Sequence, residues 1–120
     1  MNYDRLRQDN ARILNTGFSL AVRFIDAAGV NYDARAFFAD IGMMLSAEGF
    51  PVSGRRISIT TNTIGLDGDV IFTESNHPKE GWKIRFTYNG TAFYGEVLES
   101  MFDRTFSSIT MNAGKIKVVV

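Results

Sequence analysis

From Lys79 to Ser100 the chain reads KEGWKIRFTYNGTAFYGEVLES, with apolar and polar residues alternating on both sides of Asn89-Gly90. Alternation with period two puts successive side chains on opposite faces of a strand, and Asn-Gly between two such runs predicts a type I′ hairpin turn. That turn sets the register. Tyr88 then opposes Thr91, Phe86 opposes Phe93, Ile84 opposes Gly95 and Trp82 opposes Val97 on a mostly apolar face. The other face opposes Thr87 to Ala92, Arg85 to Tyr94 and Lys83 to Glu96, which makes a cation–aromatic pair and an ion pair. The hairpin is expected to be scaffold, with Trp82, Phe86, Phe93 and Val97 turned to the core.

The same pattern predicts further strands. FSLAVRFI, Phe18 to Ile25, is apolar and β-prone and is followed by the turn-like DAAGVN. After turn signals at Pro51 and Gly54, Ile57, Ile59, Thr61 and Thr63 alternate as a Thr-rich strand should. GLDGDVIFTESNHPKEG is dense in turn formers and leaves room for a short strand at Val70 to Thr73. Beyond Glu99 the chain predicts a turn near Phe102 to Arg104, a strand through Phe106 to Met111 and a closing strand Lys115 to Val120. DARAFFADIGMMLSAEGF, Asp33 to Phe50, suits a helix by its Ala, Met and Leu, and a short strand plus loop by its glycines and paired Phe; periodicity leaves both open. Residues 1–16, MNYDRLRQDNARILNT, predict a short surface helix with Asn2 as N-cap and a weak stripe of Leu6, Ala11, Ile13 and Leu14. In the second half of the chain turn signals recur every eight to twelve residues, the spacing of a β-sandwich or small barrel. The expected architecture is a single mainly β domain: a small antiparallel barrel or sandwich over 17–120, with the N-terminal helix and a long loop excursion.

Composition narrows the functional classes. A chain of 120 residues buries about two thirds of its unfolded surface, enough for one real core. Lys plus Arg and Asp plus Glu are 13 each, so no bulk positive field draws the chain to nucleic acid or an anionic membrane. Any nucleic-acid contact has to be local. The absence of cysteine removes disulfides, thiolate nucleophiles and Cys-ligated metal sites. No apolar run reaches the ~18 residues of a membrane span, and the start lacks the apolar region of a secretory signal. Synthesis and residence in the cytoplasm, without a membrane partner, is the expectation.

Candidate chemistry is sparse. His77 is the one histidine, so His-pair metal sites and a Ser-His-Asp triad have little to draw on, and a structural or exposed histidine is expected. Asp67 and Asp69 in LDGD, with Glu74 nearby, do not meet the calcium-loop spacing and read as a turn. No glycine-rich phosphate cradle precedes a predicted helix. The sequence therefore points to a protein that is not an enzyme and carries no cofactor or metal. Arg23, Lys83, Arg85 and Tyr94 can share one sheet face, the platform an OB-like barrel offers to single-stranded nucleic acid, although Glu96 opposite Lys83 weakens a phosphate track. Arg55 and Arg56 in SGRRIS are candidates for an acidic partner or DNA, or simply a solubilising turn. The excursion from Gly42 to Gly54 carries Met43, Met44, Leu45, Phe50 and Pro51. Adaptable Met side chains make it a candidate inter-subunit or inter-ring contact, and cover for the domain's own core is the alternative.

The order of these features resembles the small head-closure or tail-attachment proteins of long-tailed bacteriophages, of the lambda-like type, over Phe18 to Lys117. The residues that carry the resemblance are Gly81, Trp82, Ile84, Phe86, Gly90, Phe93 and Val97, set between a long excursion and a closing strand. The opening helix is short, and Trp82 stands where a small acidic residue is commoner, so head closure, tail termination and baseplate adaptor all stay open. The resemblance implies a non-enzymatic virion protein assembled in the host cytoplasm. Its copies would form a ring at the head–tail junction, contact portal, connector or tail proteins through loops, and let DNA pass through the lumen. No catalytic residue carries over.

Overall fold

Alternation builds six strands, and pairing closes them into a cylinder. In the computed structural model residues 19–39, 51, 54 and 56–119 are described. The strands are β1 (Ser19–Ile25), β2 (Asn31–Ala39), β3 (Ile57–Gly65), β4 (Lys83–Tyr88), β5 (Thr91–Asp103) and β6 (Ser108–Val118). Their order around the closed barrel is β1-β2-β3-β6-β5-β4, with β4 returning to β1. Every neighbour is antiparallel, so two three-stranded meanders join along β3–β6 and β1–β4. Of the two layouts expected from the sequence, the barrel is the observed one. No helix occurs among the described residues, and the expected helix over 1–16 and most of the Gly42–Gly54 excursion lie outside them.

The hairpin register is the one Asn89-Gly90 dictates, from Lys83 opposite Glu96 to Tyr88 opposite Thr91. Asn89 and Gly90 both have positive φ, 51° and 78°, as a type I′ turn requires. At the base of the hairpin, Val97 donates its N–H to the Trp82 carbonyl and accepts from the Gly81 amide. Two residues there oppose one, which bends the strand entry.

Three expectations change. Asn31–Ala39 is a strand, which settles the first part of the ambiguous Asp33–Phe50 stretch in favour of β. Val70–Thr73 is not a strand but a single bridge from Val70 to Ile64, because turns on both sides leave no length to pair. The last segment is one strand rather than two, and its turn falls at 104–107, after rather than at Phe102. What read as a break near Lys115 is a register shift within β6, with Lys115 at φ 54°. A compensating shift falls between Val97 and Glu99 of β5, so both long strands coil around the barrel.

Inside, small and large side chains together fill the cylinder: Ala34, Ala36 and Ala113 are buried in one cluster with Phe24, Phe38, Ile59, Phe86 and Phe93. A Cβ at inward-facing Gly95 would collide with Ile116 Cδ1, so the missing side chain makes room for Ile116. One barrel end is sealed by the connection between β3 and β4. Phe72 from this connection is 1% exposed and meets Phe24 edge-on at 5.6 Å and Tyr32 at 5.5 Å. Tyr32 stacks on Trp82 at 5.4 Å, and buried His77 lies 5.4 Å from Phe102. His77 donates from Nδ1 to the Pro78 carbonyl at 2.9 Å, so the histidine is a structural part of this plug.

Polar latches fasten the plug. Arg104 grips Glu74 through two nitrogens, and Asn76 donates to the Tyr32 hydroxyl, which donates to Asp26. Asp26 also accepts from the Ala28 and Val30 amides at 2.9 Å, organising the β1–β2 turn. Its pKa lies below the ordinary carboxylate range, chiefly through the Val30 N–H. Partial burial works against that shift, and the Tyr32 and Ala28 donors add to it.

Replacing Phe72 with Ala should lower unfolding free energy by about 3–5 kcal/mol in a urea titration. Val70→Ala, at a side chain 65% exposed, should stay within about 0.5 kcal/mol. Equal effects at the two sites would mean that the plug is not part of the core. The depressed Asp26 pKa gives stability that is present above the unfolded value of about 3.9 and lost as pH falls through the lower folded value. The melting-temperature gap between wild type and Asp26→Asn should therefore be open at neutral pH and close below about pH 4.

Candidate functional site

Ladder pairing brings scattered cations into one row on the barrel exterior. Asp33 on β2 lies beside Arg23 on β1, Arg23 beside Arg85 on β4, Arg85 beside Tyr94 on β5, and Tyr94 beside Lys117 on β6. The row thus crosses five strands at one level. The next level toward the plug carries Lys83 and Glu96, with Lys115 at the register shift of β6. All five cations are exposed, and Tyr94 is 39% exposed.

Two of the cations are held by carboxylates on this face and one by half of a shared partner. Arg23 makes a two-nitrogen contact with Asp33, at 2.9 and 3.3 Å, which raises the guanidinium pKa further. Glu96 sits between Lys115 at 3.0 Å and Lys83 at 3.6 Å. Its pKa is lowered, first by the Lys115 hydrogen bond, with partial burial opposing and Lys83 contributing least. Arg85 and Lys117 make no ion pair among the described residues and flank the Tyr94 ring on its two neighbouring strands. The face therefore keeps a surplus of three positive charges around one aromatic ring.

Two concavities open on this side. The larger, of about 660 Å³, runs over β4, β5 and β6, lined by Ile25, Lys83, Arg85, Tyr94, Lys115 and Lys117, with Val118 and Val119 at its end. The smaller, of about 430 Å³, has a floor of small side chains, Ala21, Thr87 and Ala92, beside Arg23 and Arg85. Such a surface suits an anionic group next to a flat or aliphatic one, because guanidinium and ammonium donors surround an aromatic face. Among the described residues no three His, Asp or Glu side chains converge to hold a metal ion, and no helix is long and apolar enough to cross a membrane.

The structure thus unites all four residues of the expected platform, Arg23, Lys83, Arg85 and Tyr94, and the Lys83–Glu96 pair that tempers it. It adds Lys115 and Lys117. Their signal was present in KIKVVV, but placing Lys117 opposite Tyr94 required the register across a bulge, which no local pattern supplies. Of the candidates on the excursion, Met43, Met44, Leu45, Phe50 and Arg55 lie outside the described residues. Pro51 is half-buried, and Arg56 is exposed with its Cγ near Gly114. Asp67 and Asp69 sit on a turn with Gly68 at φ 85°, as the LDGD pattern predicts.

A second exterior strip differs in kind. Phe37, Thr60, Thr110 and Met101 are ladder neighbours across β2, β3, β6 and β5, and the row carries no charge. Phe37 is 44% and Met101 68% exposed. The barrel thus presents different chemistry to different sides.

Compared with family models, curated proteins and solved structures, the chain matches none of them.

If Glu96 restrains the cationic face, Glu96→Gln should elute from a cation exchanger at distinctly higher salt than Glu80→Gln. The formal charge change is equal, but only the first releases Lys83 and Lys115. Equal shifts would remove the argument for a local field.

Proposed function

We propose that this chain is a non-enzymatic structural protein of a phage or prophage virion, forming a homo-oligomeric ring at the head–tail junction in head closure, tail attachment or tail termination. One observation carries the proposal, the uneven exterior of a closed barrel. Closure leaves none of the six described strands with a free edge to pair, so copies of the barrel meet through its faces and loops. A ring needs a heterologous contact between two different patches, and this exterior has a cationic strip, an uncharged strip and a projecting turn-rich connection. The resemblance of the Gly81–Val97 segment to lambda-like joining proteins points the same way. In this reading Arg56 faces an acidic partner or the DNA lumen.

The cationic row favours a second reading, a nucleic-acid-binding barrel. Arg85 and Lys117 on either side of exposed Tyr94 suit a phosphate track with a stacked base. The barrel has six strands where an OB-fold has five, so this reading rests on surface chemistry rather than topology.

Native mass spectrometry over a concentration series separates the two. The ring reading expects closed oligomers of a single size. A monomer at every concentration that binds oligonucleotide with steep salt dependence would replace it with the second. In that case Arg85→Ala should reduce the log–log salt slope by about one.

A further inference from the structure

The connection after β3 begins with Leu66-Asp67-Gly68-Asp69-Val70, an exposed tip of two acids flanked by two apolar residues. Leu66 is 51% and Val70 65% exposed, so the tip presents apolar as well as acidic surface. Asp67 and Asp69 make no ion pair among the described residues. The tip is nevertheless held firmly. Gly65 donates to the Asp69 carbonyl at 2.8 Å, Gly68 to the Gly65 carbonyl at 3.1 Å, and Leu66 to the Asp33 carbonyl of β2 at 3.1 Å. A preformed turn loses little conformational entropy on docking.

The cleft around Tyr94 has the complementary chemistry. Among the described residues Arg85 and Lys117 pair with no carboxylate, while Ile25, Tyr94, Val118 and Val119 supply apolar surface. The two features are distinct patches of one copy, although Leu66 also lines the neighbouring concavity of Arg23 and Arg85. In the cycle β1-β2-β3-β6-β5-β4, β2 and β5 are three steps apart in either direction. The tip is tied to β2, and the cleft is centred on β5. Among the described residues Asp67 and Asp69 make no ion pair with Arg85 or Lys117 within one copy, and a contact between two different patches of successive copies is the head-to-tail geometry that generates rings.

We propose that the Leu66–Val70 turn of one copy seats in the Tyr94 cleft of the next, with Asp67 and Asp69 against Arg85 and Lys117. This rests on the ring-forming reading above and identifies the contact that would build the ring. Partly solvated charge pairs make the contact salt-sensitive and steer its orientation, while Leu66 and Val70 supply the apolar burial. The cationic row is then occupied by protein. A nucleic-acid strand is the competing occupant.

Charge reversal tests the contact. The tip variant is Asp67→Lys with Asp69→Lys, and the cleft variant is Arg85→Glu with Lys117→Glu. All four positions are exposed, and unchanged far-ultraviolet circular dichroism and melting temperature verify folding. Sedimentation velocity of each variant alone should show the concentration for half-assembly rising by about tenfold or more, since like charges now face each other. Assembly should return in a chain carrying all four changes, and in an equimolar mixture of the two double variants, where every contact again pairs opposite charges. Assembly insensitive to either reversal, or not restored by the combination, overturns the proposed contact while leaving the ring reading intact. A wild-type protein that is monomeric throughout removes the ring reading and this contact together. If that monomer binds an oligothymidine and loses binding in the cleft variant but not in the tip variant, the strand is the occupant.

Discussion

Pairing between β1 and β4 is the constraint on which the rest of the structure depends. Val22 lies opposite Phe86 and Phe24 opposite Ile84, a contact between segments some sixty residues apart that turns two meanders into a cylinder. Once the cylinder closes, inward and outward have fixed meanings for every strand. Phe24, Phe86 and Phe93 are committed to the interior, and Arg23, Arg85 and Tyr94 to one exterior row. The same pairing that packs the core aligns the cations, since side chains alternate strictly along a strand.

Closure also creates a problem at the barrel ends, where core side chains would otherwise meet water. At one end the connection from Leu66 to Gly81 solves it with Phe72 and His77, set against Tyr32, Trp82 and Phe102. The plug is polar on its outside and aromatic on its inside, which explains how a segment so rich in Gly, Asp, Asn and Ser forms part of the core. Its tip projects because the tight turn at Gly68 and the bond from Leu66 to Asp33 leave Asp67 and Asp69 outward. The opposite end gathers the Asn89-Gly90 turn, the start of β1, the end of β2 and the end of β6. Interior packing and exterior chemistry therefore share elements. β5 supplies Phe93 and Val97 to the core and Tyr94 to the surface, so the exposed ring is carried by the same hydrogen-bonded strand that packs the interior.

What the sequence by itself determined is local. Asn89-Gly90 between alternating runs was sufficient for the full hairpin register, including Lys83 opposite Glu96, because turn type and period two leave one solution. The inward set Ile57, Ile59 and Thr61, the LDGD turn and the strand from Ser19 to Ile25 were legible for the same reason. The tertiary structure alone decided the choice of barrel over sandwich, the continuity of β6 through its bulge, the burial of Phe72 and His77, and the union of Arg23, Arg85 and Lys117 around Tyr94. Each of these depends on which strands become neighbours across long stretches of chain. Periodicity specifies the faces of a strand, whereas its neighbours are selected by the collective closure of the sheet and the filling of its interior, for which no single segment carries the signal.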